Sequence, residues 1–437
     1  MSETWIGIIG LLALFVLLGM RMPVAIVMML IGVVGIWVLN SWDAAMSTLA
    51  DEAWVIVSNY EFIVIPLFIL MGNFASISGM SRDLYGAAYS WFGHWRGGLA
   101  SATIAACAGF AALSGSSVAS AVTMGRVALP EMKRYKYSDR LATGAIAAGG
   151  TLGILIPPST GFIIYAILVE ESIGRLFLAG VLPGLLLTVL FMISIAIMTR
   201  INPKLGPAGE RSTMKERAES LTQAGPMLFI VLITIGGIYT GIFTPTEAAA
   251  VGAMLAFLLA FIRGRVNANS TSRVMLQTVR TTCLAFFILI GAHIFNPFMA
   301  LTEIPSDLAA ILIGAELPRT VIMLIIMTAY IVLGTFLEGF AMLVLTLPII
   351  HPLILELGYD SIWFGVVIVI VIEMGLISPP VGVNVFVVKG IAEDVPLKEI
   401  FAGIIPFWIA MAICLVILLA FPEIALFLPD TMIESFD

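Results

Sequence analysis

Two ten-residue segments, GILIPPSTGF (153–162) and GLISPPVGVN (375–384), hold the residue types from which an ion site inside a membrane is made. Each lies in a long apolar stretch and interrupts it with adjacent prolines flanked by glycine. Breaking a helix at mid-depth frees carbonyl and N–H groups, which are costly in lipid unless something polar meets them. Freed carbonyls suit a hard cation such as Na+, and the N-termini of half-helices suit an anion. A lone proline would mean little, because Pro and Gly are commoner in membrane helices than in soluble ones. These segments recur at an offset of 222, as do Pro130 and Pro352, and LAGVLPG (178–184) answers FAGIIPF (401–407) at 223. A broken helix in each of two repeats is the signature of a transport site near the bilayer midplane.

Other chemistry finds little support. His94, His293 and His351 are far apart, and Cys107, Cys283 and Cys414 stand singly in apolar runs as packing residues, so no metal constellation or disulfide framework is indicated. No nucleophile set, paired aspartates or H-E-x-x-H motif appears, so the chain reads as a non-enzyme needing no cofactor. A channel would need a filter sequence, and internal duplication fits alternating access better.

The elements that must position these breaks follow from composition. The 437 residues are 60% hydrophobic and 11% charged, which excludes a water-soluble globule and predicts an all-α polytopic membrane protein. Helices of ~20 apolar residues cross a ~30 Å core. Ten segments fit, about 5–20, 23–40, 54–76, 141–168, 176–199, 224–242, 246–262, 281–300, 363–388 and 400–425. The first is read as a retained helix, because MSETW lacks the basic flank of a signal peptide. Two further stretches, 98–130 and 319–352, break at LSGSS (113–117) and GTFLEG (334–339), leaving arms too short to span. Both are expected to be re-entrant hairpins with tips buried in protein.

Charge tests this parity. With the N-terminus outside, 19 of the 21 Lys and Arg residues fall on one side and only Arg175 and Arg319 on the other, a positive-inside pattern. Five crossings and one hairpin per half make an odd number of crossings, so the halves should be inverted. Residues 1–200 form the first repeat, 201–223 a cytoplasmic linker and 224–437 the second repeat, with both termini periplasmic.

At ALSGSSVASAVTMGRVALPEM (112–132), ATGAIAAGGTLGILIPPS (142–159), GIFTPTEAAAVGA (241–253) and EMGLISPPVGVNVFV (373–387), the chain resembles the large membrane subunit of tripartite ATP-independent periplasmic (TRAP) transporters. The resemblance spans most of the chain in the expected order. It implies an elevator-type, sodium-driven importer of organic acids in a bacterial inner membrane. Its implied partners are a small four-helix membrane subunit and a soluble periplasmic binding protein. One sodium site would comprise Ser114 and Ser117 at the hairpin tip with Gly153, Ile156 and Pro157 in the break. The other would comprise Gly334 at the tip with Gly375, Ser378 and Val381. Many relatives carry Thr where Ser378 stands and Asp where Glu338 stands. A stand-alone sodium-coupled carboxylate carrier of related fold is the competing expectation.

Ser116, Ser159, Thr160, Thr335, Glu338 and Asn384 are candidates for contact with a carboxylate or sulfonate substrate. Ser and Thr also act as helix–helix glue in membranes. Glu338 serves equally as a cap for its own hairpin, and Glu373 faces the ion site or the scaffold. Glu61 reads as an interfacial, solvated residue. Thr244, Pro245 and Glu247 spell a capping box rather than a site. WFGHWRGG (91–98) reads as an interfacial arm or as a hinge before the first hairpin.

Overall fold

The computed structural model describes residues 3–20, 22–314 and 317–432, so the ends of the expected repeats at 1, 2 and 433–437 lie outside the described residues. The described chain is helical almost throughout. Helices α1 (Glu3–Gly19), α2 (Val24–Leu39), α3 (Trp42–Ser58), α4 (Val64–Ile77) and α5 (Met80–Phe92) precede the first hairpin, α6 (Gly98–Ser114) and α7 (Ser117–Arg134). The first broken helix follows as α8 (Asp139–Leu155) and α9 (Thr160–Val169), then α10 (Ile173–Ile201). In the second half come α11 (Met214–Tyr239), α12 (Pro245–Ile262), α13 (Ala268–Leu301) and α14 (Ile304–Gly314). The second hairpin is α15 (Arg319–Gly334) with α16 (Gly339–Glu356), and the second broken helix is α17 (Ser361–Leu376) with α18 (Val383–Ile391). Helices α19 (Leu397–Ala420) and α20 (Glu423–Asp430) close the chain.

Helix starts follow local chemistry. Thr244 and Glu247 form the expected capping box on α12, with Pro245 at its first position. The box satisfies two otherwise orphaned N–H groups and contributes about 1 kcal/mol. An unforeseen box, Thr213 with Glu216, starts α11. The stretch 201–223 is therefore linker only to Thr213. This short segment is strapped to the base of the first hairpin, where Gly97 N–H donates to Gly206 O at 2.9 Å and Gly209 N–H to Gly93 O at 2.9 Å.

The spans differ from expectation at their margins. Among the described residues, eight helical stretches are both 18 residues or longer and apolar enough to cross: seven of the ten expected segments, the first broken helix being taken across its break, together with α16. Helices α1 and α2, with 17 and 16 residues, reach only about 25 Å each. In segment 363–388 the longer break leaves α17 with 16 residues and α18 with 9. The expected 54–76 span is two elements, because Asn59 leaves the helical conformation, caps a 3-10 turn at Tyr60–Ile63 with its side chain and lets α4 restart. Glu61 in that turn is exposed, as a solvated interfacial residue should be. Cys107 and Cys414 are buried packing residues, whereas Cys283 is exposed on α13.

The halves of the broken helices that precede each Pro-Pro pair form the centre of the molecule. Every residue from Leu141 to Leu155 in α8, and every residue of α17, is buried. Around them pack both arms of the first hairpin, α15, and α19. Helix α8 reaches α19 through facing glycines: a methyl on Gly144 would stand 2.5 Å from Gly403 O. Small residues at such crossings let backbones approach where hydrophobic driving force between helices is absent. On the other flank α2 packs on α13, and α4 on α12 and α13.

Candidate functional site

The first hairpin turns at Gly115, which takes a left-handed φ of 58°, and Ser116 starts the returning arm by accepting from Ala119 N–H at 3.3 Å. Opposite, Ile156 leaves α8 in an extended conformation, and α9 restarts after Ser159, whose hydroxyl accepts from Phe162 N–H at 3.2 Å. Tip and break are in direct contact. The Thr160 hydroxyl donates to Gly115 O at 2.7 Å, and a methyl on Gly115 would stand 2.9 Å from Pro158 O. A methyl on Gly153 would meet the Ser116 carbonyl carbon at 2.7 Å and the Ser120 hydroxyl at 2.8 Å. Ser114 Oγ and Ser120 Oγ share a hydrogen bond of 2.7 Å. Thus Ser114, Ser116, Gly153, Ser159 and Thr160 gather at one junction with Ile156 and Pro157 in its break. Ser120, absent from the sequence-level set, joins them from the opposite arm. This junction is rich in hydroxyl and carbonyl oxygen, the donor set a hard cation takes.

The second junction is built differently. Gly334 and Gly375 touch backbone to backbone: a methyl on Gly375 would lie 2.7 Å from Gly334 Cα. Thr335 donates to Val332 O at 2.8 Å, and Ser378 donates to Met374 O at 2.6 Å, so both protons serve their own helices. Ser378 Oγ also accepts from the Trp408 indole at 3.0 Å, a contact with α19 that spacing alone does not reveal. Gly382 takes a φ of 63° and brings Val385 and the Ser378 carbonyl close to its Cα, while Val381 is exposed.

Glu338 caps α16, its carboxylate accepting from Ala341 N–H at 3.2 Å. Its geometry matches the capping alternative. Asn384 donates its amide across the second break to Glu373 Oε2 at 3.3 Å. Both residues are buried, and the hydroxyl of Ser117, from the first hairpin, lies beside the Glu373 carboxylate. Ser117 therefore links the first hairpin to the second broken helix. Glu373 Oε1 and Asn384 Oδ1 make no hydrogen bond within the described chain. The three histidines stay separate: His94 lies against Trp95, His293 contacts Glu52 at 3.3 Å, and His351 bonds Ser361 at 2.9 Å.

Residues 11–424 match the family described as Tripartite ATP-independent periplasmic transporter, DctM component. The chain belongs to this family. It is 36% identical to the C4-dicarboxylate TRAP transporter large permease protein DctM of Pseudomonas aeruginosa, over 88% of this chain and 90% of that one. It is 32% identical to the sialic acid TRAP transporter large permease protein SiaM of Vibrio cholerae, over 86% and 87%. The isethionate TRAP transporter permease protein DctMQ of Oleidesulfovibrio alaskensis is 32% identical, over 96% of this chain and 65% of that one. These relatives are transport permeases rather than enzymes. In fold the chain is similar to the Alcanivorax borkumensis YdaH transporter, with a TM-score of 0.59 at 13% identity, over 87% of this chain and 89% of that one. The family and the apolar helices together make this DctM-type chain a multi-pass membrane transport protein.

Proposed function

We propose that this TRAP-family chain imports a small organic acid, a carboxylate or sulfonate, by coupling its entry to sodium. The substrate arrives from a soluble periplasmic binding protein, and a small four-helix membrane subunit completes the permease in the bacterial inner membrane. Relatives named for C4-dicarboxylates, sialic acid and isethionate support an organic anion as substrate class.

The observation that carries the reading is the pairing of each hairpin tip with a helix break, through Gly115 and Thr160 in one half and Gly334 and Gly375 in the other. Ser114, Ser117, Gly153, Ile156 and Pro157 hold one sodium ion, and Gly334, Gly375, Ser378 and Val381 hold the second. Ser116, Ser159, Thr160, Thr335, Glu338 and Asn384 lie toward the substrate. Residues 1–200 and 224–437 act as inverted repeats with periplasmic termini. The recurrence of helix bounds supports this reading, since α2 and α12 end at Leu39 and Ile262, and α4 and α13 at Ile77 and Leu301. The hairpins and broken helices move as one body against the remaining helices, as an elevator.

The test is uptake of labelled organic acids by the chain and its small subunit in liposomes, with and without the binding protein. Uptake that needs the binding protein supports the tripartite reading. Uptake at the same rate without it makes the chain a stand-alone carrier and contradicts that part of the proposal.

A further inference from the structure

A groove of about 760 Å³ runs along the outer face of α10 where it meets the elbow between α5 and α6. Val189, Ile193 and Ala196, spaced as one face of a helix, give it an apolar wall, and Arg96 and Arg200 stand at its far end beside Trp95. From Val189 to Arg200 the helix rises about 16 Å, half the thickness of a hydrocarbon core. Val189, Ile193 and Trp95 are about half exposed. Neither guanidinium has a carboxylate partner among the described residues. An apolar trough ending in two unpaired guanidiniums and an indole has the polarity profile of a single phospholipid at the membrane interface.

We propose that this groove binds a glycerophospholipid with an anionic headgroup, one acyl chain lying along α10 and the phosphate held between Arg96 and Arg200. Planar guanidiniums match phosphate oxygens in pairs, and basic pockets between membrane helices take anionic headgroups. The site joins the elbow before the first hairpin to α10. Arg96 belongs to the WFGHWRGG elbow, its carbonyl accepts from the Thr199 hydroxyl on α10 at 3.2 Å, and Gly97 next to it is tied to the linker. A headgroup bridging Arg96 and Arg200 therefore fastens the base of the first hairpin to α10. The inference rests on membrane placement alone and not on sodium coupling or substrate.

The test is native mass spectrometry of the purified full chain, exchanged against phosphatidylglycerol or phosphatidylcholine of matched chains, or against glycerol phosphate. Phosphatidylglycerol should be retained in preference to both other ligands. Arg96→Gln/Arg200→Gln should lower its retention roughly tenfold. Ile193→Trp, which fills the trough, should lower retention of either lipid, and Arg265→Gln, away from the groove, should leave retention unchanged. Equal retention of the two lipids by the wild type overturns the proposal, as does a preference that survives Arg96→Gln/Arg200→Gln. If that double variant does not fold, undiminished lipid retention by Ile193→Trp overturns it instead. A photo-crosslinker at Ile193 in native membranes should capture lipid, and capture of a protein subunit there contradicts the assignment.

Discussion

Asn384 on α18 donates its amide to the Glu373 carboxylate on α17 at 3.3 Å, across the second helix break, with Ser117 of the first hairpin beside the same carboxylate. One buried polar cluster thus joins elements from both halves of the chain. Removing one member leaves the other buried and short of a partner, at a cost of about 1–3 kcal/mol. Glu373→Ala and Asn384→Ala should each lower thermal stability, and the double variant should lose about 0.5–3 kcal/mol less than the sum. A double-mutant cycle by thermal unfolding in detergent measures this. Additive losses would show that the two side chains act independently.

The Gly334–Gly375 contact has no room for a methyl group. Gly375→Ala and Gly334→Ala should each cost about 1–3 kcal/mol by forcing α15 and α17 apart. Both should also raise the sodium concentration needed for half-maximal uptake. Gly225→Ala and Gly236→Ala, inside α11 where an added methyl meets nothing within 4 Å, should instead be neutral or stabilising by up to about 1 kcal/mol. Sodium titration of uptake in all four variants checks the contrast.

Ser114 and Ser378 make different contacts, which predicts different rescue patterns. Both Ser114→Ala and Ser378→Ala should weaken the sodium dependence of uptake while leaving membrane insertion intact. Ser378 also holds the Trp408 indole, so Trp408→Phe should reproduce part of the Ser378→Ala defect if that bond orients the hydroxyl. Trp408→Phe has no counterpart effect at the first junction. Unchanged sodium activation in both serine variants would sink the site assignment.

Lys133 at the end of α7 pairs with Asp394 before α19 at 2.6 Å, and hydrogen bonding to the lysine lowers the Asp394 pKa. A depressed carboxylate stabilises the fold above its unfolded pKa, near 3.8, and loses that contribution as pH falls through the lower folded value. Asp394→Asn should therefore remove a small part of the acid-side loss of stability while changing little at pH 7, because the pair is solvent-exposed. Thermal unfolding between pH 3 and 7 tests the sign.

Much of this arrangement was legible in the sequence, for identifiable reasons. The tip sequences LSGSS and GTFLEG and the two Pro-Pro pairs mark helix ends, because glycine, serine and proline impose local backbone geometry whatever surrounds them. The Thr244–Glu247 box is equally local. Asn59 was missed as a break because the residues around it are apolar enough to read as one span. The Ser117–Glu373, Ser378–Trp408 and Ser114–Ser120 contacts depend on how separate helices are rotated against each other. Hydropathy cannot report that rotation where helices α8 and α17 are apolar on every face.

If sodium held at the two tip-and-break junctions drives substrate entry, the deciding measurement is the initial rate of organic-acid uptake into liposomes holding the complete permease and its binding protein, against inward gradients of sodium or potassium. Accumulation should occur with sodium alone, with a sodium dependence steeper than a single-site curve. Equal accumulation under potassium, or a rate indifferent to sodium, would contradict it.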